Sequence, residues 1–323
     1  MNRISFVSLR SQQKNICVDN LPMRQNIGEP TSNKLAMVII LWAFIFGAFV
    51  RLYPIIIAKF PINDGGLFYI MVEDLINNGL KLPSFVSYNG GHIPYTYPPL
   101  VFYLLAIINK VFGLSTFDLL KYLPAIISTL SIVVYFFLAN DIFQDRFQAA
   151  LATVTFSLMP NSFTWIIMGG GVTRSIGILF HILFIIALRR FFRSWKLREA
   201  LLVMVLLSLI ILTHPSWALN TLFICIVLWL FWGKRKLDST ILFILIGIIL
   251  ITFPWWIWIL KNHGLSPLIS ASQTGFQHPL LSFLLILTFD FAEEPYLDLI
   301  SVIALLGMIV TISKKNYLFF FGS

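Results

Sequence analysis

Apolar runs dominate the chain, broken by short polar stretches. Runs near 35–53, 119–139, 149–168, 172–188, 200–214, 216–232, 241–260 and 297–312 are the expected spans. A helix needs about 20 apolar residues to cross a hydrocarbon core, and several of these runs sit near the short limit. Pro124, Pro215 and Pro254 are expected at first turns or at kinks. The pattern predicts an all-α polytopic membrane protein with about eight transmembrane helices.

The first long polar interruption, Pro61–Pro99, follows a different pattern. Gly65–Asn78 places Leu67, Met71 and Leu75 on one helical stripe, with Phe68, Val72 and Ile76 beside it. Glu73, Asp74, Asn77 and Asn78 hold the other side, and Gly79 and Pro83 stop the helix. This predicts a helix lying in the interface with its apolar side toward the membrane. The next run, Leu100–Phe112, is closed by Asn109, Lys110 and Gly113. At ~1.5 Å per residue it reaches roughly 20 Å, too short for a core of ~30 Å. It is placed as an interfacial or re-entrant helix on the outer side.

Composition agrees with the spans. Of 323 residues, 58% are hydrophobic and 11% charged, with a mean hydropathy of +0.87. Soluble domains carry about 25% charge. The net charge of +9 is topological and gives no sign of a nucleic-acid partner. With the N-terminus in the cytoplasm and Leu100–Phe112 outside, 16 of the 23 basic residues fall inside, including the Arg189–Arg198 and Lys234–Lys236 clusters. Letting Leu100–Phe112 cross would move both clusters outside, against the positive-inside rule. The expected layout is a basic cytoplasmic tail over 1–34, a transmembrane domain over 35–312 with its first outer loop at 59–118, and a cytoplasmic end over 313–323. The Arg189–Arg198 cluster then contacts lipid headgroups. Cys17 and Cys225 imply no disulfide framework.

The outer side gathers the residues able to do chemistry. Asp64, in Asn63-Asp64-Gly65-Gly66, reads both as an N-cap and as a carboxylate that binds a divalent cation or takes a proton from an acceptor. His92, after Gly90-Gly91, reads as a solvated loop histidine, a metal ligand or a phosphate donor. Tyr97-Pro98-Pro99 reads as a helix start. In Gly169-Gly170-Gly171-Val172-Thr173-Arg174, an arginine stands at a helix N-terminus, where a cation is poorly placed unless an anion sits there. Its alternative is snorkelling. Arg51 is equally two-sided, and His214-Pro215 reads as a polar turn or as part of the same face. Asp290, Glu293 and Glu294 form a polar break near the end. No acidic residue sits mid-span, which counts against an ion-coupled carrier.

The order of these features resembles the GT-C membrane glycosyltransferases, especially relatives of the dolichyl-phosphate-mannose–protein mannosyltransferases and the lipid A aminoarabinose transferases. The carrying residues are Asn63-Asp64-Gly65-Gly66-Leu67-Phe68-Tyr69, Tyr97-Pro98-Pro99-Leu100 and Ala139-Asn140-Asp141-Ile142-Phe143, and the resemblance covers roughly 35–260. It implies a GT-C-like bundle that moves a sugar from a polyprenyl-phosphate donor to an acceptor at the extracytoplasmic face. Asp64 would act as base or, with His92, hold Mg or Mn. Arg174, His214, Arg51, His92 and Tyr97 would bind substrate, and the other partners are an acceptor and membrane lipids. Many relatives carry a second acid in the next outer loop, where this chain has its glycines. A lipid-linked-substrate flippase and a non-catalytic subunit of the same fold are the rival expectations. Ser323 reads as an early end, with an acceptor-recognition part missing.

Overall fold

A computed structural model describes residues 30–63, 65–232 and 239–274, with 306, 307 and 309 besides. The expected tails, 1–34 and 313–323, lie outside it except for 30–34. In chain order it contains α1 (Pro30–Ile57), α2 (Gly65–Asn77), β1 (Phe85–Val86), β2 (Ile93–Pro94), α3 (Leu100–Phe112), α4 (Thr116–Phe143) and α5 (Arg146–Leu158). There follow α6 (Gly171–Ser194), α7 (Leu197–Ile211), α8 (Pro215–Trp232), α9 (Ser239–His263) and α10 (Ser266–Thr274). β1 and β2 form a small antiparallel hairpin. The described architecture is all-α and that of a membrane protein.

Among the described residues, four helices (α1, α4, α6 and α9) are long and apolar enough to cross a membrane. The expected eight are not matched by length. The run at 149–168 is helical only to Leu158, because Pro160 opens a short 3-10 turn through Ser162. The run at 200–214 stops at Ile211, since a residue before proline is pushed out of the helical region and Pro215 starts α8 instead. The run at 297–312 falls almost wholly outside the described residues. Pro124 and Pro254 sit inside α4 and α9, not at first turns.

The short amphipathic elements have the expected bounds and a different neighbour. α3 ends where Gly113 takes φ 69° and donates its N–H to the Asn109 carbonyl. Ser115 caps α4 by accepting the Asp118 N–H at 3.0 Å. α2 turns Phe68, Met71, Val72 and Leu75 onto Val101, Phe102 and Leu105 of α3 and Leu119 and Leu120 of α4. Its apolar side thus packs on protein, where the sequence alone suggested membrane. Asp74 fastens the hairpin to α2, accepting the Ser87 N–H and hydroxyl at 2.7 Å each.

The bundle has two groups of helices, α1–α4–α5 and α6–α7–α8–α9, that meet where α4 packs on α6. Buried cations fasten the first group and its junction with the second. Arg51 of α1 is 0% exposed. Its Nε donates to Ser128 Oγ of α4 at 2.9 Å, and Nη1 donates to the carbonyls of Gly47 at 3.0 Å and Ser157 of α5 at 2.5 Å. Nη2 reaches Ser162 Oγ at 3.1 Å, and the guanidinium lies 4.7 Å from the Phe163 ring centre. A planar fork suits such a site, because each of its three nitrogens finds an acceptor within the chain.

At the opposite end Asp141 joins α4 to α6. Its carboxylate takes Arg189 Nε at 2.6 Å and Arg193 Nη1 at 2.8 Å. The Arg189–Arg198 cluster is therefore not wholly a headgroup contact: Arg189 is 3% exposed and belongs to the bundle, while Arg193 is 46% exposed.

Removing one partner of a buried pair strands the other charge. Asp141→Asn should lower unfolding free energy in detergent by about 3 kcal/mol, and Arg193→Ala by under about 1 kcal/mol. Equal effects in thermal unfolding would contradict the assignment of Arg189 as the buried partner.

Candidate active site

Three stretches distant in sequence meet at the end of the bundle away from Asp141: the approach to α3, the turn before α6 and the turn between α7 and α8. Leu100 donates its N–H to the Leu212 carbonyl at 3.0 Å, which ties the start of α3 to the end of α7. Tyr97, just before α3, is wedged edge-on against Phe68 at 5.4 Å, Phe102 at 5.8 Å and His214 at 6.0 Å between ring centres. Its hydroxyl lies 3.2 Å from Thr173 Oγ1 in the first turn of α6. One tyrosine thus touches α2, α3, α6 and the turn before α8.

His214 is 8% exposed. Its Nδ1 accepts the Ser216 N–H at 3.2 Å, which puts the ring proton on Nε2 and makes that atom a donor. Burial, aided by the charge of Arg174, pushes its pKa down to about 4. At neutral pH the imidazole is an uncharged N–H donor.

Arg174 is half-buried in the first turn of α6. It donates from Nη1 to the Trp165 carbonyl at 3.1 Å, and its guanidinium lies 5.9 Å from the Trp165 ring centre. That contact holds the head group beside the helix N-terminus, where an anion would find both a cation and backbone N–H groups.

The fourth component is the segment leading into α2. Gly169 donates its N–H to the Ile62 carbonyl at 2.7 Å. Asn63, at φ 62°, places Nδ2 3.3 Å from Met168 Sδ. Asp64 lies outside the described residues. Its neighbours on both sides meet the turn before α6, and α2 begins at Gly65, immediately after it.

The remaining expected residues lie elsewhere. His92 is exposed at φ 44° beside the hairpin, its ring edge-on to Phe85, which also takes the ring of His263 from the end of α9. Arg51 is enclosed by α1, α4 and α5, its guanidinium engaged with protein acceptors. Among the described residues no three His, Cys, Asp or Glu side chains come together. Those residues alone do not compose a ligand set for Mg or Mn. Asp290, Glu293 and Glu294 lie outside them.

Two polar features escaped the sequence reading. Thr173, to which the sequence assigns no role, is the partner of Tyr97. His181, inside an apolar run of α6, is buried with Nδ1 2.7 Å from Thr221 Oγ1 of α8. That hydroxyl donates to the Trp217 carbonyl at 2.6 Å, so His181 Nδ1 carries the proton. A lone histidine in an apolar run was the available signal.

A family model described as dolichyl-phosphate-mannose-protein mannosyltransferase matches residues 96–258. The match begins one residue before Tyr97 and includes Thr173, Arg174 and His214, while Asn63–Gly66 precedes it. A search of curated proteins finds no match.

The neutral state of His214 has a consequence for stability. An unfolded histidine titrates near ~6.5, and this one, folded, near about 4. Between those values the unfolded chain holds the proton that the folded chain refuses, so stability falls as pH falls. His214→Asn should remove up to about 1.4 kcal/mol per pH unit of that slope, read as the difference between pH-dependent unfolding curves of the two proteins. Superimposable slopes would contradict the burial of a neutral imidazole.

Proposed function

We propose that this chain, which belongs to the dolichyl-phosphate-mannose-protein mannosyltransferase family, moves a sugar from a polyprenyl-phosphate donor to an acceptor hydroxyl at the extracytoplasmic face. The family supports a membrane glycosyltransferase of GT-C type. Donor, face and roles are our reading. The observation that carries it is the meeting of Tyr97, Thr173, Arg174 and His214 at the start of α6, within the matched region.

The chemistry follows from where charge develops. As the bond between the sugar C1 and the phosphate oxygen breaks, negative charge grows on the departing phosphate. A cation, a helix N-terminus and uncharged donors held in advance stabilise that charge more than they stabilise the donor at rest. In our reading Arg174 supplies the cation and His214 Nε2–H an uncharged donor, while the Tyr97 ring packs against His214 and holds it in place. A neutral His214 keeps this function well below neutral pH.

The acceptor oxygen attacks C1 from the side opposite the phosphate, and its proton goes to the Asp64 carboxylate. A new C1–O bond forms as the old one breaks, with inversion at C1. No step runs through a metal ion. The Arg189–Arg198 cluster at the Asp141 end supports a cytoplasmic placement for that end, and so an extracytoplasmic one for the site.

The test is transfer by the purified, reconstituted chain from a panel of polyprenyl-phosphate sugars, with and without Mg or Mn. Asp64→Asn should abolish transfer and leave insertion and unfolding unchanged. Arg174→Ala should lower kcat/KM by about 100-fold, the usual scale for losing one charge-stabilising donor. Full activity of Asp64→Asn would remove the base, and transport of intact donor without transfer would favour a flippase.

A further inference from the structure

The turn before α6 has no room for a side chain where it meets the segment that carries Asp64. A Cβ built on Gly169 would stand 2.6 Å from the Cα of Gly65, 2.9 Å from its backbone nitrogen and 2.9 Å from Cβ of Pro61. From the facing side, a Cβ on Gly65 would stand 2.9 Å from Cβ of Pro61 and 3.4 Å from the Cα of Gly169. The obstruction at Gly169 is mostly backbone, which cannot swing aside as a long side chain can. Gly169 also donates its N–H to the Ile62 carbonyl at 2.7 Å, so the two strands of chain touch and bond at one point. The same turn is tight at Gly171, where a Cβ would lie 2.0 Å from the Ile166 carbonyl oxygen.

We propose that Gly169 is a positioning residue. Its bare Cα seats Pro61, Ile62 and Gly65 against the turn before α6, and the chain between them thereby delivers the Asp64 carboxylate to the corner formed by Tyr97, Thr173, Arg174 and His214. This rests on the reading of Asp64 as the base. In this chain the second loop contributes a backbone seat where relatives were expected to hold a second carboxylate. A methyl at 169 must displace Pro61 and Gly65. It leaves in place His214 on Ser216, whose bond lies elsewhere. Displacing a reacting group by about 1 Å can cost about 100-fold in rate.

The experiment uses the full chain with Cys17 and Cys225 changed to serine and the pair Asn63→Cys and Met168→Cys introduced. Those two side chains meet at 3.3 Å in the native protein. With Gly169 the pair should cross-link on mild oxidation; with Gly169→Val it should not. In the chain without the added cysteines, Gly169→Ala should lower kcat by about 100-fold with KM for the donor and binding of bare polyprenyl phosphate unchanged. A general loss of structure would move all three. Cross-linking and kcat at native levels in the Gly169 variants would overturn the proposal, as would cross-linking lost with kcat retained. If no donor is used even by the Gly169 chain, the transferase reading fails, while the cross-link comparison still decides whether Gly169 seats the segment.

Discussion

The loop end of this bundle depends on the backbone joint between Gly169 and Ile62. Two stretches more than a hundred residues apart are held at hydrogen-bond distance there, and each of them leads directly into a helix. α2 leaves from one side and carries the ring of Phe68 to Tyr97. α6 leaves from the other and carries Thr173 to the same tyrosine. The chemistry proposed for the corner needs its parts at fixed separations, and this joint supplies the origin from which those separations are measured.

A second constraint is the apolar surround. A polar group that cannot reach water must find its partner inside the chain. Arg51 satisfies it through serine hydroxyls and helix carbonyls, Arg189 through Asp141, His181 through Thr221 and His214 through the Ser216 N–H. The same physics gives opposite functional meanings. Arg51 spends its donors on the bundle and acts as a strut. His214 uses one ring nitrogen on the chain and keeps the other as a donor beside Arg174. Arg174 itself is steered by Trp165, whose carbonyl and ring face hold a cation at the start of a helix where the dipole alone would repel it.

Much of this was legible in the sequence, for identifiable reasons. α3 is correct to the residue because Pro98-Pro99 and Gly113 punctuate it with steric rules that tertiary structure rarely overrides. The start of α6 at its glycines also follows from local signals, whereas Tyr97, Arg174 and His214 were named through topology and resemblance, together with Arg51 and His92, which the fold places elsewhere. The spans at 149–168 and 200–214 were overdrawn because hydropathy counts apolar residues and ignores Pro160 and the effect of Pro215 on its predecessor. Arg51 was ambiguous because its partners, Ser128 and Ser157, carry no one-dimensional mark. The packed face of α2 was assigned to membrane because an apolar stripe looks the same whether it meets lipid or Phe102. Thr173 was invisible for the opposite reason: a threonine in a turn is ordinary until a tyrosine from another loop is seen beside it.

The most direct test of the account is where a lipid phosphate binds. The reconstituted chain would be labelled with a photoreactive polyprenyl phosphate whose reactive group sits beside the phosphate, and the modified peptides would be mapped. The account predicts adducts within 96–99, 168–175 and 212–216, competed away by unlabelled polyprenyl phosphate. Saturable labelling confined to α1, α5 or the Asp141 end would contradict it.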